Sequence, residues 1–261
     1  MKRDLTEASQ MISADLLRLR KKRGVVALAL VAVLAPIVIV TGYEVIRHAF
    51  DPAHYRITGS GLRGFADLLG DLGISLGPIA AILIGAEAGV GDLAAGVFRD
   101  NVLTGRSRTA LFLARIPAAV AVTLTVIGLG FAIGLAATFG FAGRPTPSLS
   151  VVLEAAAWLA LANAAACVIT LGLGSLTGSR PVTITALVSW QLVLSPLIVG
   201  AVSLGSLRRG LLGAALLFFK PGPANGAPVI VMPVASAVVV TIGWLLVLPA
   251  LGAWRMRTRD A

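Results

Sequence analysis

A single cysteine, Cys167, lies inside an apolar run, so the chain has no intrachain disulfide to staple it. Two histidines and 12 acidic residues leave little from which to build a hydrolytic or metal centre. No H-E-x-x-H, no G-x-S-x-G and no cysteine cluster occurs. G-x-x-x-x-G-K-[ST] is also missing, so the chain carries no phosphate-binding loop of that kind. Charge is scarce too. Only 13% of the 261 residues are charged and 57% are hydrophobic, where a soluble domain has about 25% and roughly 45–50%.

That excess of apolar residues exceeds what one soluble core can bury, so the default solvent is lipid. A helix needs about 20 mostly apolar residues, at ~1.5 Å rise each, to cross a hydrocarbon core of roughly 30 Å. Residues 24–42, 116–143, 155–179, 181–207 and 227–254 meet that requirement. A sixth run, 72–86, is short but lengthens if its helix begins near Leu62, which puts Asp67 and Asp71 at the membrane interface. The fold class expected is therefore all-α: a polytopic membrane protein with six transmembrane helices in one domain, residues 1–261.

The net charge of +10 and the pI near 11.2 do not point to nucleic acid, because the cations segregate as a bilayer requires. With the N-terminus inside, only Arg47, Arg56, Arg63, Arg144, Arg208, Arg209 and Lys220 fall in outer segments, and the other Lys and Arg residues are inner. Both termini are expected in the cytoplasm and the protein in the plasma membrane. The basic leader runs to Arg23 with no A-x-A site after Gly42, so the first run reads as a retained helix rather than a signal peptide.

Residues 4–22 predict an amphipathic helix lying in the interface. Leu5, Ala8, Ile12, Leu16 and Leu19 recur on one face, and R-L-R-K-K-R closes it with charge suited to anionic headgroups. A plain positive-inside anchor is the alternative. The first outer segment contains G-S-G-L-R-G, but a membrane helix follows it rather than a βαβ unit, so it is no dinucleotide fingerprint. His48, Asp51 and His54 have metal-ligand chemistry, yet Pro52 breaks any helix that would align them, and a solvated loop is the better reading. Residues 208–228 include an apolar stretch, 210–219, too short to span, which predicts an outer re-entrant helix.

Within the spans, polar residues are few. Asn163 and Gln191 suit interhelical hydrogen bonds better than substrate contact, and Gly130 with Gly134 forms a G-x-x-x-G packing site. Pro196 is expected to bend the fifth span. Asn163, Gln191 and Pro196 are candidates to line a translocation path. Intramembrane ionisable relays are too sparse for a proton-coupled carrier.

The segment 85–115 is the exception to this greasy pattern. It holds Glu87, Asp92, Arg99, Asp100, Arg106, Arg108 and Arg115 between two apolar runs. Around Phe98, Val102 and Leu103 those charges form a rim on a small apolar centre, ending at Gly105, a pattern suited to a groove on a soluble partner. A loop that merely turns the chain reads equally well from these residues alone.

The spacing here resembles that of the ABC-2 family of transporter permeases, in an actinobacterial-type branch. That family places an acidic residue after its second span, Gly-Thr four positions on, then P-x-S-R and a further basic residue. Asp92, Gly96, the run Gly105–Arg106–Ser107–Arg108, and Arg115 fall at those places, with Val97 for threonine and Gly105 for proline. The resemblance implies a permease subunit of an ABC exporter, paired with a second permease subunit, identical or related. Cytoplasmic ATPase subunits would supply ATP and Mg²⁺, with no cofactor on this chain and no enzymatic activity of its own. It also implies a coupling helix over Phe98, Arg99, Asp100, Val102, Leu103, Gly105, Arg106, Ser107 and Arg108, braced by Asp92, Gly96 and Arg115. The family's path runs between subunits along spans two and five and traffic is outward, which suggests a drug, lipid or peptide cargo. A non-transporting membrane partner or sensor that binds an ATPase, or an intramembrane enzyme, are the rival readings.

Overall fold

The computed structural model describes residues 2–52, 54, 61–94, 107–141, 145–222 and 230–258. Every element is helical, with no strand among the described residues. Helix α1, Lys2–Lys21, is separated from α2, Arg23–Phe50, by the single residue Lys22. Span 2 is built from α3 (Gly61–Gly70), a π-helical turn (Asp71–Ser75) and α4 (Leu76–Ala94). Helices α5 (Arg108–Gly140) and α6 (Leu149–Thr177) follow as spans 3 and 4. Span 5 is again composite, with α7 (Arg180–Ser189), a π turn (Trp190–Leu194) and α8 (Ser195–Gly200). A 3-10 segment (Val202–Gly210) and the short α9 (Leu212–Phe218) precede α10 (Val234–Thr258), which is span 6; α2 is span 1. All six spans are long and apolar enough to cross a membrane, and a continuous helix satisfies every backbone polar group without water.

Several boundaries differ from the hydropathy reading. Span 1 runs on through 43–50 and stops at Asp51–Pro52, where the proline cannot continue the ladder. Span 5 ends at Gly200, because 202–210 tighten into a 3-10 segment broken by Gly205 at φ +54°. Residues 85–94 and 108–115, expected in the connecting loop, are the last turns of α4 and the first turns of α5. Glu87 can be carried in helix because it is paired there, as described below.

Spans 2, 3 and 4 form the interior. About half or more of each apolar window is buried, 67%, 50% and 56% in turn, against 17% for spans 1, 5 and 6. Span 2 meets span 4 backbone to backbone. A Cβ on Gly85 would stand 2.5 Å from the Cys167 carbonyl oxygen, and one on Gly89 2.6 Å from that of Leu171. Span 4 crosses span 6 in the same way, since a Cβ on Gly172 would come within 2.7 Å of the Leu248 backbone. With no water to expel between apolar helices, such close approach supplies the dispersion contacts that hold them. Gly130 and Gly134 do pack closely, against Val33 of span 1 and Leu68 of span 2.

Helix α1 lies along α5, turning Leu16 and Leu19 inward while Ser13, Ala14, Leu17 and Arg20 stay exposed. Both α1 and the end of α10 share one end of the bundle with the end of α4, the start of α5 and the α6–α7 turn. Arg257 Nε donates to Thr109 Oγ1 at 2.7 Å there, and Gly178, at φ +67°, closes α6 by donating its N–H to the Gly174 carbonyl.

Candidate functional site

Two features of the bundle carry chemistry: a cavity among spans 2, 4, 5 and 6, and a charged cluster at the end that holds α1. The cavity has a volume of about 280 Å³. Gly73, Pro78 and Ile82 of span 2 face Ala162, Ala166 and Ile169 of span 4 across it. Leu187, Trp190 and Gln191 of span 5 and Trp244 and Leu248 of span 6 complete the wall, and Gly213 and Leu216 of α9 close one end. Ala162 and Ala166 keep this part of the wall low, while Gly73 and Gly213 allow close approach instead: a Cβ on Gly73 would strike the Trp158 ring, and one on Gly213 would stand 2.7 Å from Ser195 Oγ. Two indoles fix the closing elements. Trp158 Nε1 donates to the Leu216 carbonyl at 2.7 Å, and Trp244 Nε1 to that of Gly210 at 3.0 Å.

Polar groups near the cavity are engaged with the π turns. In span 2 the Leu76 N–H reaches back five residues to the Asp71 carbonyl, the pairing of a π turn. Two carbonyls of that turn are taken by side-chain amides. Asn163 Nδ2 donates to Leu72 O at 2.9 Å and to Leu159 O at 2.9 Å, and Gln191 Nε2 donates to Ile74 O at 3.0 Å. Gly77 makes room for this, because a Cβ there would overlap the Leu72 carbonyl oxygen.

The three residues expected along a path therefore separate. Asn163 is fully buried as a span 2–span 4 link, Gln191 stands in the cavity wall, and Pro196 is exposed just after the second π turn. Lacking an N–H, Pro196 cannot pair with the carbonyl of residue 192, and the π turn before it absorbs the mismatch.

At the charged end, Glu87 is 6% exposed although it belongs to an apolar helix. Its carboxylate accepts from Arg180 Nη1 at 2.9 Å and from Lys22 Nζ at 3.3 Å. One buried acid thus ties span 2 to the α1–α2 joint and to the foot of span 5. Both cations remain partly exposed, so the desolvation penalty falls mainly on Glu87. Beside it a narrow cleft is lined by Asp15, Arg18, Lys22, Gly91 and Arg115. Arg115 is 4% exposed and faces Asp15 of α1. Burial raises the Asp15 carboxyl above its usual 3.8, with Arg115 and Arg18 opposing the shift.

Of the residues expected to couple to a partner, Phe98, Arg99, Asp100, Val102, Leu103, Gly105 and Arg106 lie outside the described residues, as does Gly96. Asp92 falls in the last turn of α4. Ser107 caps α5, its Oγ accepting the Ala110 N–H at 3.1 Å. Arg108 Nη1 donates to the Arg257 carbonyl at 3.4 Å, which joins the start of span 3 to the end of span 6. Arg115 lies against α1, beside Asp15 and Arg18.

Sequence reading missed Glu87, Lys22 and Arg180 as a unit. The available signal was an acid two residues beyond Gly85, still in phase with the apolar face of span 2. At the opposite end, His54 Nδ1 lies 2.9 Å from Asp51 Oδ2, and no group of three metal-ligating side chains occurs among the described residues. The chain matches no family model, no curated protein and no solved structure.

Proposed function

We propose that this chain is the membrane-spanning subunit of an ATP-driven exporter of the ABC-2 type, working with separate cytoplasmic ATPase subunits and a second permease subunit. The observation that carries this reading is the Glu87 cluster. Its ion pairs link the end of span 2, where the 95–107 connection begins, to α1 and to Arg180 at the foot of span 5. A force applied to that connection is thereby passed to two walls of the cavity at once. ATP binding to the partner would shift the populations of two permease states only through contacts that differ between them, and a linked set of charges at the docking end supplies such contacts.

Further support comes from span 5. It is no more apolar than the interior spans taken together, yet is as little buried as span 1. Thr185, Ser189 and Pro196 fall along its exposed stripe, which suits a second subunit or a path between subunits better than lipid alone. In this reading both termini are cytoplasmic and α1 lies in the plasma-membrane interface. The segment 202–218 is the outer re-entrant element, and the cargo is apolar or amphipathic. ATP and Mg²⁺ stay on the partner.

The test is to purify the tagged chain gently from its native membrane and assay the preparation for ATP hydrolysis. A stoichiometric ATPase whose activity Arg108→Glu reduces, with membrane insertion unchanged, supports the proposal. No ATPase under several detergents, or full activity in Arg108→Glu, would sink it.

A further inference from the structure

The acid in the charged cluster is outnumbered. Glu87 neutralises one of its two cations, so Lys22, Arg180 and Glu87 together keep a charge of +1. Much donor capacity is left over as well. An ammonium has three N–H groups and a guanidinium five, and each cation has one contact here, with Glu87. Lys22 is 48% exposed and Arg180 40%, while the carboxylate between them is only 6% exposed. An approaching ligand therefore meets the cations and not the acid.

The two cations are spaced for a single anion. Touching the two oxygens of one carboxylate, Lys22 Nζ and Arg180 Nη1 stand less than about 9 Å apart. A phosphate taking charge-assisted bonds of about 2.7–2.9 Å on two of its oxygens bridges such a gap. The backbone favours an anion too. Lys22 is the cap residue of α2 and Ser179 that of α7, and neither uses its side chain to cap its helix. The first N–H groups of both helices and the positive ends of their dipoles add to the attraction.

The level of the cluster in the fold selects the kind of anion. Arg23 opens span 1 and Arg180 opens span 5, so the cluster lies where the membrane-crossing segments begin. Leu28 and Val31 on span 1 and Val182 on span 5 are exposed apolar residues just beyond it. A phosphate with acyl chains attached has surface for both of its parts, and a soluble anion uses only one. Lys21 and Arg23 are exposed beside Lys22. They repel the terminal cation of a zwitterionic headgroup, which an anionic headgroup lacks.

We propose that Lys22 and Arg180 together hold the phosphate of one anionic phospholipid, with Glu87 setting their spacing. The site requires that this end of the bundle meet a membrane surface and not that ATP drive the protein, so lipid binding and ATPase association can fail separately.

Native mass spectrometry of the detergent-purified full-length chain, titrated with phosphatidylglycerol or phosphatidylcholine of the same acyl chains, tests this. One phosphatidylglycerol per chain is expected to bind in preference to phosphatidylcholine. Lys22→Gln, which leaves Arg180 on Glu87, should weaken that lipid about fivefold, or ~1 kcal/mol. Glu87→Gln keeps both cations, removes the competing carboxylate and should tighten it. Arg255→Gln takes the same charge from the exposed foot of span 6 and should leave it unchanged. Equal binding of the two lipids, or a loss in Lys22→Gln no larger than in Arg255→Gln, overturns the proposal. Weaker binding in folded Glu87→Gln, or displacement of the lipid by inorganic phosphate at equal concentration, overturns it as well.

Discussion

Spans 2 and 4 and spans 1 and 6 solve opposite problems. Spans 1 and 6 are the most apolar of the six and only 17% buried, while spans 2 and 4 are among the least apolar and mostly buried. In water the order would be reversed, with greasy elements inside. Here lipid rewards an apolar surface wherever it touches the protein. The interior is instead assembled from what lipid cannot offer: glycine-mediated backbone contact, amide hydrogen bonds and one compensated carboxylate. Span 5 fits neither group, being modestly polar yet exposed, and it borders the cavity.

Substitutions can break or sharpen this contrast. The largest effect is expected from Lys22→Ala combined with Arg180→Ala, which strands the buried Glu87 carboxylate at about 3–5 kcal/mol. Adding Glu87→Gln should restore most of that loss in an unfolding titration in bicelles. If the double variant is as stable as wild type, the charged cluster is not part of what holds the interior.

Next, Gly85→Leu or Gly89→Leu forces a side chain into the span 2–span 4 contact, at about 1–3 kcal/mol. Gly128→Leu, where a Cβ meets nothing within 4 Å, should stay within roughly 0.5 kcal/mol in the same titration. Equal losses at these positions would erase the distinction between inner and outer surfaces.

A smaller effect follows from the amides. Asn163→Ala should approach about 1.7 kcal/mol and Gln191→Ala about 0.6 kcal/mol, the upper and mean values for such bonds in membranes. A steeper loss at Gln191 would make span 5 part of the interior.

Least of all is the titration of Asp15. Its carboxyl is raised in the folded state by burial, so the native form holds the proton more tightly than the unfolded chain does. The resulting stabilisation of α1 is full below pH 3.8 and is lost as pH rises through the higher folded value. Limited proteolysis of α1 across that window should show the decline in wild type, and Asp15→Asn should show none.

Much of this architecture was legible in the sequence. Six apolar runs became six spans, the short second run lengthened to begin at Gly61, close to the expected Leu62, and Gly130 and Gly134 met neighbouring helices. Hydropathy succeeds there because it reports a local property, the solvent each segment prefers. It failed where charges are settled by distant partners. Glu87 looked like the start of a loop because Lys22 and Arg180, which let it remain in helix, lie far from it in the chain. The 3-10 segment carries no periodic signal long enough to read, whereas the apolar stretch 210–219 did mark a short helix, found as α9. The cavity's wall is drawn from spans 2, 4, 5 and 6 and α9, and only their assembly brings Gly73, Ala162 and Gly213 together.

The two π turns are in contact, joined by the bond from Gln191 to Ile74. Each holds one residue more than an α-helix needs for the same rise, a surplus equivalent to about 100° of rotation. Deleting a single residue from Trp190–Leu194 would return span 5 to regular α-helix and turn one half of it by that angle against the other. Gln191 could not then meet Ile74 while Arg180 still met Glu87. The spare residues thus set the phase between the two ends of the protein, so that the charged foot and the cavity wall of span 5 can both face inward on one helix.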